Sequence, residues 1–136
     1  MEEFPDSIRM MWLKQIGSMK KAASGSDESK QKLAKRQLNF LTIQCYETAR
    51  KYTELKSYKT SAVFYQIVSL IQPEDSSIDY LLAQTYSLDK DLNKSVKFLT
   101  IAVKKGYNNR KAIESDATFA WMANERKFRE ILEQCK

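Results

Sequence analysis

The chain has 136 residues, of which 43% are hydrophobic and 29% charged, and it contains only 3 glycines and 2 prolines. This length and balance predict one folded, helix-rich domain and are less suited to a disordered chain. The formal net charge of +6 admits an anionic partner, such as nucleic acid or a membrane surface.

Catalytic chemistry has few candidates in this sequence. There is no histidine, which excludes Ser–His and Cys–His nucleophile pairs and imidazole metal sites. The three glycines are isolated from one another, so no phosphate-binding loop is present. Cys45 and Cys135 are far apart and are expected to be free thiols. We therefore predict a protein that is not an enzyme, with no catalytic residue, no metal site and no cofactor.

Targeting signals are also missing from the sequence as given. No run of about 18 apolar residues could span a bilayer, and the acidic start lacks a basic segment followed by an apolar one. We expect a soluble chain without a membrane span. Its compartment stays open: cytoplasmic, or extracytoplasmic if the chain was cut from a longer precursor.

The first half of the chain reads as three helices. Apolar residues recur every three to four positions from about residue 7 to 22, after a Pro-Asp-Ser start. Small residues at 23–26 end that helix, and Asp27 or Ser26 caps a long one. Its single apolar stripe is predicted to run through Leu33, Leu38, Leu41, Cys45, Ala49 and Tyr52, with Phe40 and Ile43 beside it. A break at 55–57 precedes a third helix, which Pro73 ends.

The second half predicts another hairpin and a short helical tail. Ser76 and Ser77 reopen a helix, a turn at 89–91 closes it, and its partner helix ends at Gly106, a residue suited to a C-terminal cap. Asp116 is expected to cap a short helix, and a last helix carries Phe128 and its neighbours. No alternating β pattern occurs in the sequence.

The two central hairpins are related by a shift of 34 residues. The shift superimposes Tyr46 on Tyr80, Ala49 on Ala83, Tyr52 on Tyr86, Lys56 on Lys90, Ser61 on Ser95, Tyr65 on Leu99 and Val68 on Ala102. Small residues at four of these positions allow helix backbones to approach, and the tyrosines fill the space between hairpins. Such a hairpin cannot bury its apolar face alone, whereas stacked units can.

This period resembles the tetratricopeptide repeat, which holds two helices in 34 residues. One unit fits Leu82-Ala83-Tyr86-Ser95-Leu99-Ala102, and the other fits Ala49-Tyr52-Ser61-Tyr65-Val68-Pro73. The departures are Thr48 in place of Leu, Lys56 and Lys90 where glycine is common, and Tyr107 in place of the closing proline. The resemblance implies an all-α fold of antiparallel helical hairpins, stacked as a short right-handed superhelix with a C-terminal helical cap.

The expected organisation has an N-terminal helix and linker over residues 1–26 and a tetratricopeptide-like domain over 27–136. Within that domain, the repeats span about 42–75 and 76–109, followed by a cap over 110–136. The closing stretch resembles the C-terminal end of modules attached to larger bacterial proteins, often hydrolases or peptidases. In that resemblance the open end of the stack is covered by Phe119, Met122, Phe128 and Ile131.

The resemblance also implies a binding groove, because the first helix of each repeat faces the concave side. The groove positions are Ile43, Tyr46, Arg50 and Glu54 in the first unit, and Tyr80, Gln84 and Leu88 in the second. An aromatic pair, Tyr46 and Tyr80, could then hold an extended peptide. The alternative is that these tyrosines pack against the first helix, lying across the groove.

Three functions follow as hypotheses. The first is a protein-interaction or scaffolding module for a protein, a peptide or a covalently linked catalytic domain. The second is a structural or homodimeric module whose interface uses Met11, Trp12 and Ile16 of the first helix. The third is weak nucleic-acid binding through basic clusters at 14–36 and 97–111. It is disfavoured because the first cluster contains no aromatic residue for base stacking and neither shows a recognition helix with base-reading side chains.

Overall fold

The computed structural model describes residues 6–135, and in that range the chain is all-helical with no strand. Seven α-helices and one 3-10 helix follow in order: α1 Asp6–Ala23, α2 Glu28–Glu54, α3 Tyr58–Ile71, α4 Ser76–Leu88, α5 Leu92–Lys104, α6 Arg110–Glu114, the 3-10 helix Ala117–Met122, and α7 Arg126–Glu133. The chain divides into two compact units, Met1–Gln72 and Pro73–Lys136. The all-α prediction is confirmed for the described residues.

The first unit contains α1, α2 and α3. Asp27, one of the two predicted caps, accepts a hydrogen bond from the Lys30 backbone N–H at 3.2 Å at the start of α2. Helices α2 and α3 form an antiparallel hairpin, and α1 packs mainly on α2. Ile16 is buried, so α1 belongs to this compact unit. The predicted boundary at residue 26 does not coincide with the division after Gln72.

A close helix–helix contact recurs in the two hairpins. The Ser61 hydroxyl donates to the Ala49 carbonyl at 2.8 Å, and the Ser95 hydroxyl donates to the Ala83 carbonyl at 2.8 Å. All four residues are fully buried. Only small side chains permit this approach of backbones, so the 34-residue sequence repeat is also a repeat of local structure.

Stacked aromatic rings recur at the same shift. The rings of Tyr52 and Phe64 are nearly parallel with centroids 5.8 Å apart, and those of Tyr86 and Phe98 lie 5.5 Å apart. In each hairpin one ring comes from the first helix and one from the second. The stacking therefore joins the two helices of a hairpin to each other.

The helix ends share one backbone motif. After α2, the Lys56 N–H donates to the Thr53 carbonyl and the Ser57 N–H to the Tyr52 carbonyl, which is the Schellman arrangement. The same pair of bonds follows α4 and α5. The residue with positive φ is Lys56 at 60°, Lys90 at 60° and Gly106 at 110°. Lysine thus occupies a left-handed conformation twice.

The second unit joins the α4–α5 hairpin to the C-terminal helices. Its core includes Leu99 and Ala102 of α5, and the C-terminal segment contributes Ile113, Phe119, Met122, Phe128, Ile131 and Leu132. Helix α6 was not predicted, since its five residues are too short for a periodic pattern; Asn109 caps it. The short helix capped by Asp116 is a 3-10 helix.

Replacing Lys56 by glycine should stabilise the first unit. A left-handed residue other than glycine costs roughly 1–2 kcal/mol, and the extra flexibility of glycine in the unfolded chain offsets about 0.5–1 kcal/mol of that gain. We expect Lys56→Gly to raise the free energy of unfolding by up to about 1 kcal/mol, measured by urea denaturation. The matched control, Lys35→Gly inside α2, should lower it by about 1 kcal/mol. Destabilisation by both variants would contradict the assignment.

Candidate functional site

Tyr80, one half of the predicted aromatic pair, is a core residue of the second unit. It is only 7% exposed, and its ring stacks on Tyr107 with centroids 4.1 Å apart and meets Phe119 edge-on. Its hydroxyl donates to the Asp116 carboxylate at 2.6 Å. Tyr80 was predicted to contact a ligand or to pack against the first helix; in the structure its ring and hydroxyl contact Tyr107, Phe119 and Asp116 of the C-terminal segment.

The neighbouring groove position on α4 is used in the same way. Gln84 donates through Nε2 to the same Asp116 carboxylate at 2.8 Å. One turn on, the Ser87 hydroxyl donates to the Thr118 carbonyl at 2.6 Å and accepts from the Trp121 indole N–H at 2.8 Å. Of the α4 positions predicted for the groove, Leu88 is left exposed.

The Asp116 network perturbs both of its titratable members. Burial alone would raise the pKa of Asp116, but hydrogen bonds from Tyr80, Thr118 and Gln84 outweigh it and hold the pKa below its ordinary value. Burial and the bond to Asp116 raise the pKa of the Tyr80 hydroxyl far above its usual range. Tyr80 is thus a neutral donor and Asp116 a charged acceptor, which suits a structural clamp.

The predicted groove residues of the first unit lie on α2, and most of them are exposed. Tyr46 is half-buried and meets Tyr65 edge-on at 5.9 Å between centroids, so its partner is α3. Ile43, Arg50 and Glu54 are exposed. Arg50 forms an exposed ion pair with Glu47 at 3.6 Å.

The exposed α2 residues form one continuous surface, which we call the outward α2 face. It comprises Leu33, Arg36, Phe40, Ile43, Glu47, Arg50 and Glu54, which the helical period of 3.6 places on one side. Its three apolar members are 57%, 66% and 62% exposed at Leu33, Phe40 and Ile43. The buried α2 residues lie on the opposite side: Ala34, Cys45 and Ala49.

Leu33 does not lie with the buried residues of α2, although the apolar pattern placed it in the same stripe as Cys45 and Ala49. The pattern put Leu33 in the buried apolar stripe, with Phe40 and Ile43 beside it, whereas Ala34 occupies the buried position. A strict helical period would have revealed this, because 33, 40 and 43 lie roughly opposite 34, 45 and 49. The long apolar pattern therefore contains two stripes, one packed and one exposed.

The predicted interface residues of α1 are divided between core and surface. Ile16 is buried, Trp12 is partly buried, and Met11 is 47% exposed. Met10 and Leu13 are further exposed apolar residues of this helix. Ile16 thus belongs to the packed interior of the first unit, whereas Met10 and Met11 are exposed.

The basic cluster at 97–111 is partly neutralised within the second unit. Lys105 forms an ion pair with the buried Asp79 at 2.7 Å and also donates to the Pro73 carbonyl. Arg110 pairs with Glu114 at 2.8 Å. These contacts lower the positive charge that the cluster offers to a nucleic acid.

Residues 6–135 contain neither a membrane-spanning helix nor a cluster of metal-binding side chains. No helix between residues 6 and 135 combines the length and apolarity needed to cross a bilayer. The same residues contain no group of three or more Cys, Asp or Glu side chains that could hold a metal ion. Burial raises the pKa of both thiols, Cys45 and Cys135.

Tyr80→Phe should weaken the second unit by removing a charge-assisted hydrogen bond. We expect a loss of about 1–3 kcal/mol in the free energy of unfolding at neutral pH. Since the folded pKa of Asp116 lies below its ordinary value of 3.8, its contribution is present above that pH and lost as pH falls through the folded pKa. The variant should therefore lose less stability on acidification, measured by urea denaturation from pH 7 to 2. Tyr107→Phe is the matched control, and an equal loss there would contradict the assignment.

Lys105→Met should destabilise the second unit more than any other lysine change in the 97–111 cluster. It leaves Asp79, with a side chain only 4% exposed, as a buried charge without its cation. The expected cost is about 3 kcal/mol in urea denaturation. Lys104→Met, on the exposed neighbour, should change stability by less than about 0.5 kcal/mol. Similar values for the two variants would show that the ion pair contributes nothing.

The predicted groove residues of α4 and the exposed residues of α2 differ in how much of their surface is open to a ligand. The described groove positions of α4 are largely covered by the C-terminal segment, whereas the outward α2 face offers exposed apolar and charged side chains together. Comparison with protein-family models, with curated proteins and with solved structures finds no match to the chain.

Proposed function

We propose that this chain is a non-catalytic protein-interaction module and that its outward α2 face binds the partner. The observation that carries this proposal is the exposure of Leu33, Phe40 and Ile43 in one row. Single exposed apolar residues are ordinary, but an aligned row with charged residues beside it is typical of a protein-binding surface. Covering each of these side chains would contribute about 1–2 kcal/mol.

We further propose that the two hairpins are degenerate tetratricopeptide repeats. The recurring serine–carbonyl contact, the ring stack and the left-handed lysine support this, each separated by 34 residues. Stacking of the repeats into a right-handed superhelix is part of the proposal. In that arrangement the first helix of a repeat supplies the ligand-facing residues, which agrees with a binding role for Ile43, Arg50 and Glu54.

The partner could be a separate protein, a peptide or a catalytic domain linked to this chain, such as a bacterial hydrolase. The proposed site differs from the predicted groove, because Tyr80 and Gln84 are occupied by Asp116 and Phe40 and Leu33 are added. Apolar anchors in the middle of a surface carry most binding energy. We therefore place the anchors at Phe40 and Ile43.

A second candidate is an interface on α1. Its support is the exposure of Met10 at 64% and Met11 at 47%, together with Leu13. Methionine is flexible and adapts to irregular partner surfaces. The α1 face and the outward α2 face are distinguishable by substitution, since both belong to the first unit but to different helices.

Affinity capture from an extract of the source cells, followed by crosslinking and mass spectrometry, tests the proposal. Phe40→Glu should reduce recovery of the partner about tenfold or more, because a charge replaces a central anchor. Met10→Glu removes an equally exposed apolar side chain from α1 and should leave recovery unchanged. Full recovery with Phe40→Glu would refute the outward α2 face, and loss with Met10→Glu alone would favour α1. Circular dichroism of each variant checks that the helices are retained.

A further inference from the structure

We propose that the partner of the outward α2 face is a second copy of this chain, bound through an antiparallel α2–α2 pair. This inference rests on the proposed function, since it names the partner of that same face. A two-fold axis between Phe40 and Ile43 would relate the copies. Each copy then presents the same surface, as in most homodimers.

The apolar residues fit such an axis. In an antiparallel helix pair, residues equally far from the axis on opposite sides face each other. Phe40 of one copy therefore faces Ile43 of the other, and the reverse contact follows by symmetry. Leu33 faces Arg50, whose long aliphatic stem can cover an apolar side chain while its charged end stays in water. The row that is 57–66% exposed in a single chain is thus covered by its own counterpart.

The charged residues on either side of the apolar row favour the antiparallel orientation. Arg36 lies four residues before Phe40, and Glu47 lies four residues after Ile43, on the same exposed face. The antiparallel axis places Arg36 of each copy opposite Glu47 of the other, which forms two ion pairs. A parallel pair in register would instead place Arg36 against Arg36 and Glu47 against Glu47, which is unfavourable. The existing Glu47–Arg50 pair is exposed, so rearranging it costs little.

The length of α2 accommodates the apolar row and its flanking charges. The helix runs for 27 residues without glycine or proline, about 40 Å at 1.5 Å per residue. The apolar row and its flanking charges occupy the middle of this length. Three large apolar side chains from each copy give an interface near the small end of the specific range, about 1,000 Å² in total. We therefore expect a dimer with a dissociation constant on the order of micromolar.

Analytical ultracentrifugation of the full chain, from about 1 to 500 μM, measures the dimer directly. Arg36→Glu or Glu47→Arg alone should raise the dissociation constant about tenfold, since each places like charges together twice. The double variant Arg36→Glu with Glu47→Arg restores opposite charges and should return the constant to within about threefold of the original. Phe40→Glu should give a monomer, and Met10→Glu should behave like the unchanged chain.

Several outcomes would overturn the inference. They are a monomer at every concentration, a dimer unaffected by Phe40→Glu, a dimer lost in Met10→Glu, or failure of the double variant to recover. A monomer that binds vesicles containing phosphatidylserine through Phe40 would replace the second copy with a membrane surface. If the chain is monomeric but Phe40→Glu still prevents capture of a partner, the inference fails and the proposed function stands.

Discussion

The contact on which both hairpins depend is a serine hydroxyl bonded to a backbone carbonyl of the facing helix. Ser61 meets the Ala49 carbonyl and Ser95 meets the Ala83 carbonyl, each at 2.8 Å and fully buried. A hydroxyl can reach a helix carbonyl across an interface only if both backbones are close. The facing residue must then be small, and alanine meets this requirement without adding a polar group. The rotation of each helix about its axis is thereby fixed, and with it the choice of inward and outward faces.

The same hairpin is used differently in the two units. In the second unit, the C-terminal segment packs on α4, where Asp116 accepts from Tyr80 and Gln84 and Trp121 donates to Ser87. The polar side chains of Tyr80, Gln84 and Ser87 on α4 therefore form hydrogen bonds within the second unit. In the first unit, α2 keeps an exposed face with apolar and charged residues. Equivalent positions in the sequence repeat therefore have different surroundings in the two units.

Much of the helical architecture follows from local sequence signals. Asp27, Asp75, Asp91 and Asp116 each accept a backbone N–H at a helix start, and Pro73 follows the end of α3, so starts and stops are encoded by nearby residues. Helix α6 escaped prediction because a single turn carries no periodic pattern.

Burial of the candidate site was less predictable, because it depends on residues distant in sequence. The repeat position of Tyr80 predicts that it lines a groove or packs against the first helix, whereas its hydroxyl donates to Asp116, 36 residues later. No local sequence pattern predicts a contact between residues this far apart in the chain. The error at Leu33 was of another kind, since the helical period alone separates it from Ala34. That misassignment reflects an imprecise reading of one long apolar pattern.

The distribution of side-chain size on α2 bears on how the exposed row is interpreted. The buried residues of this helix are small, Ala34, Cys45 and Ala49, whereas larger apolar side chains lie outward at Leu33, Phe40 and Ile43. Rotating the helix so that these three side chains became buried would, by itself, lower the free energy of the folded state in proportion to the apolar area removed from water. The close approach to α3 prevents that rotation, because the space between Ala49 and Ser61 is too small for the side chain of a phenylalanine or an isoleucine. The outward row is therefore held at the surface by the packing behind it, where the proposed partner would cover it.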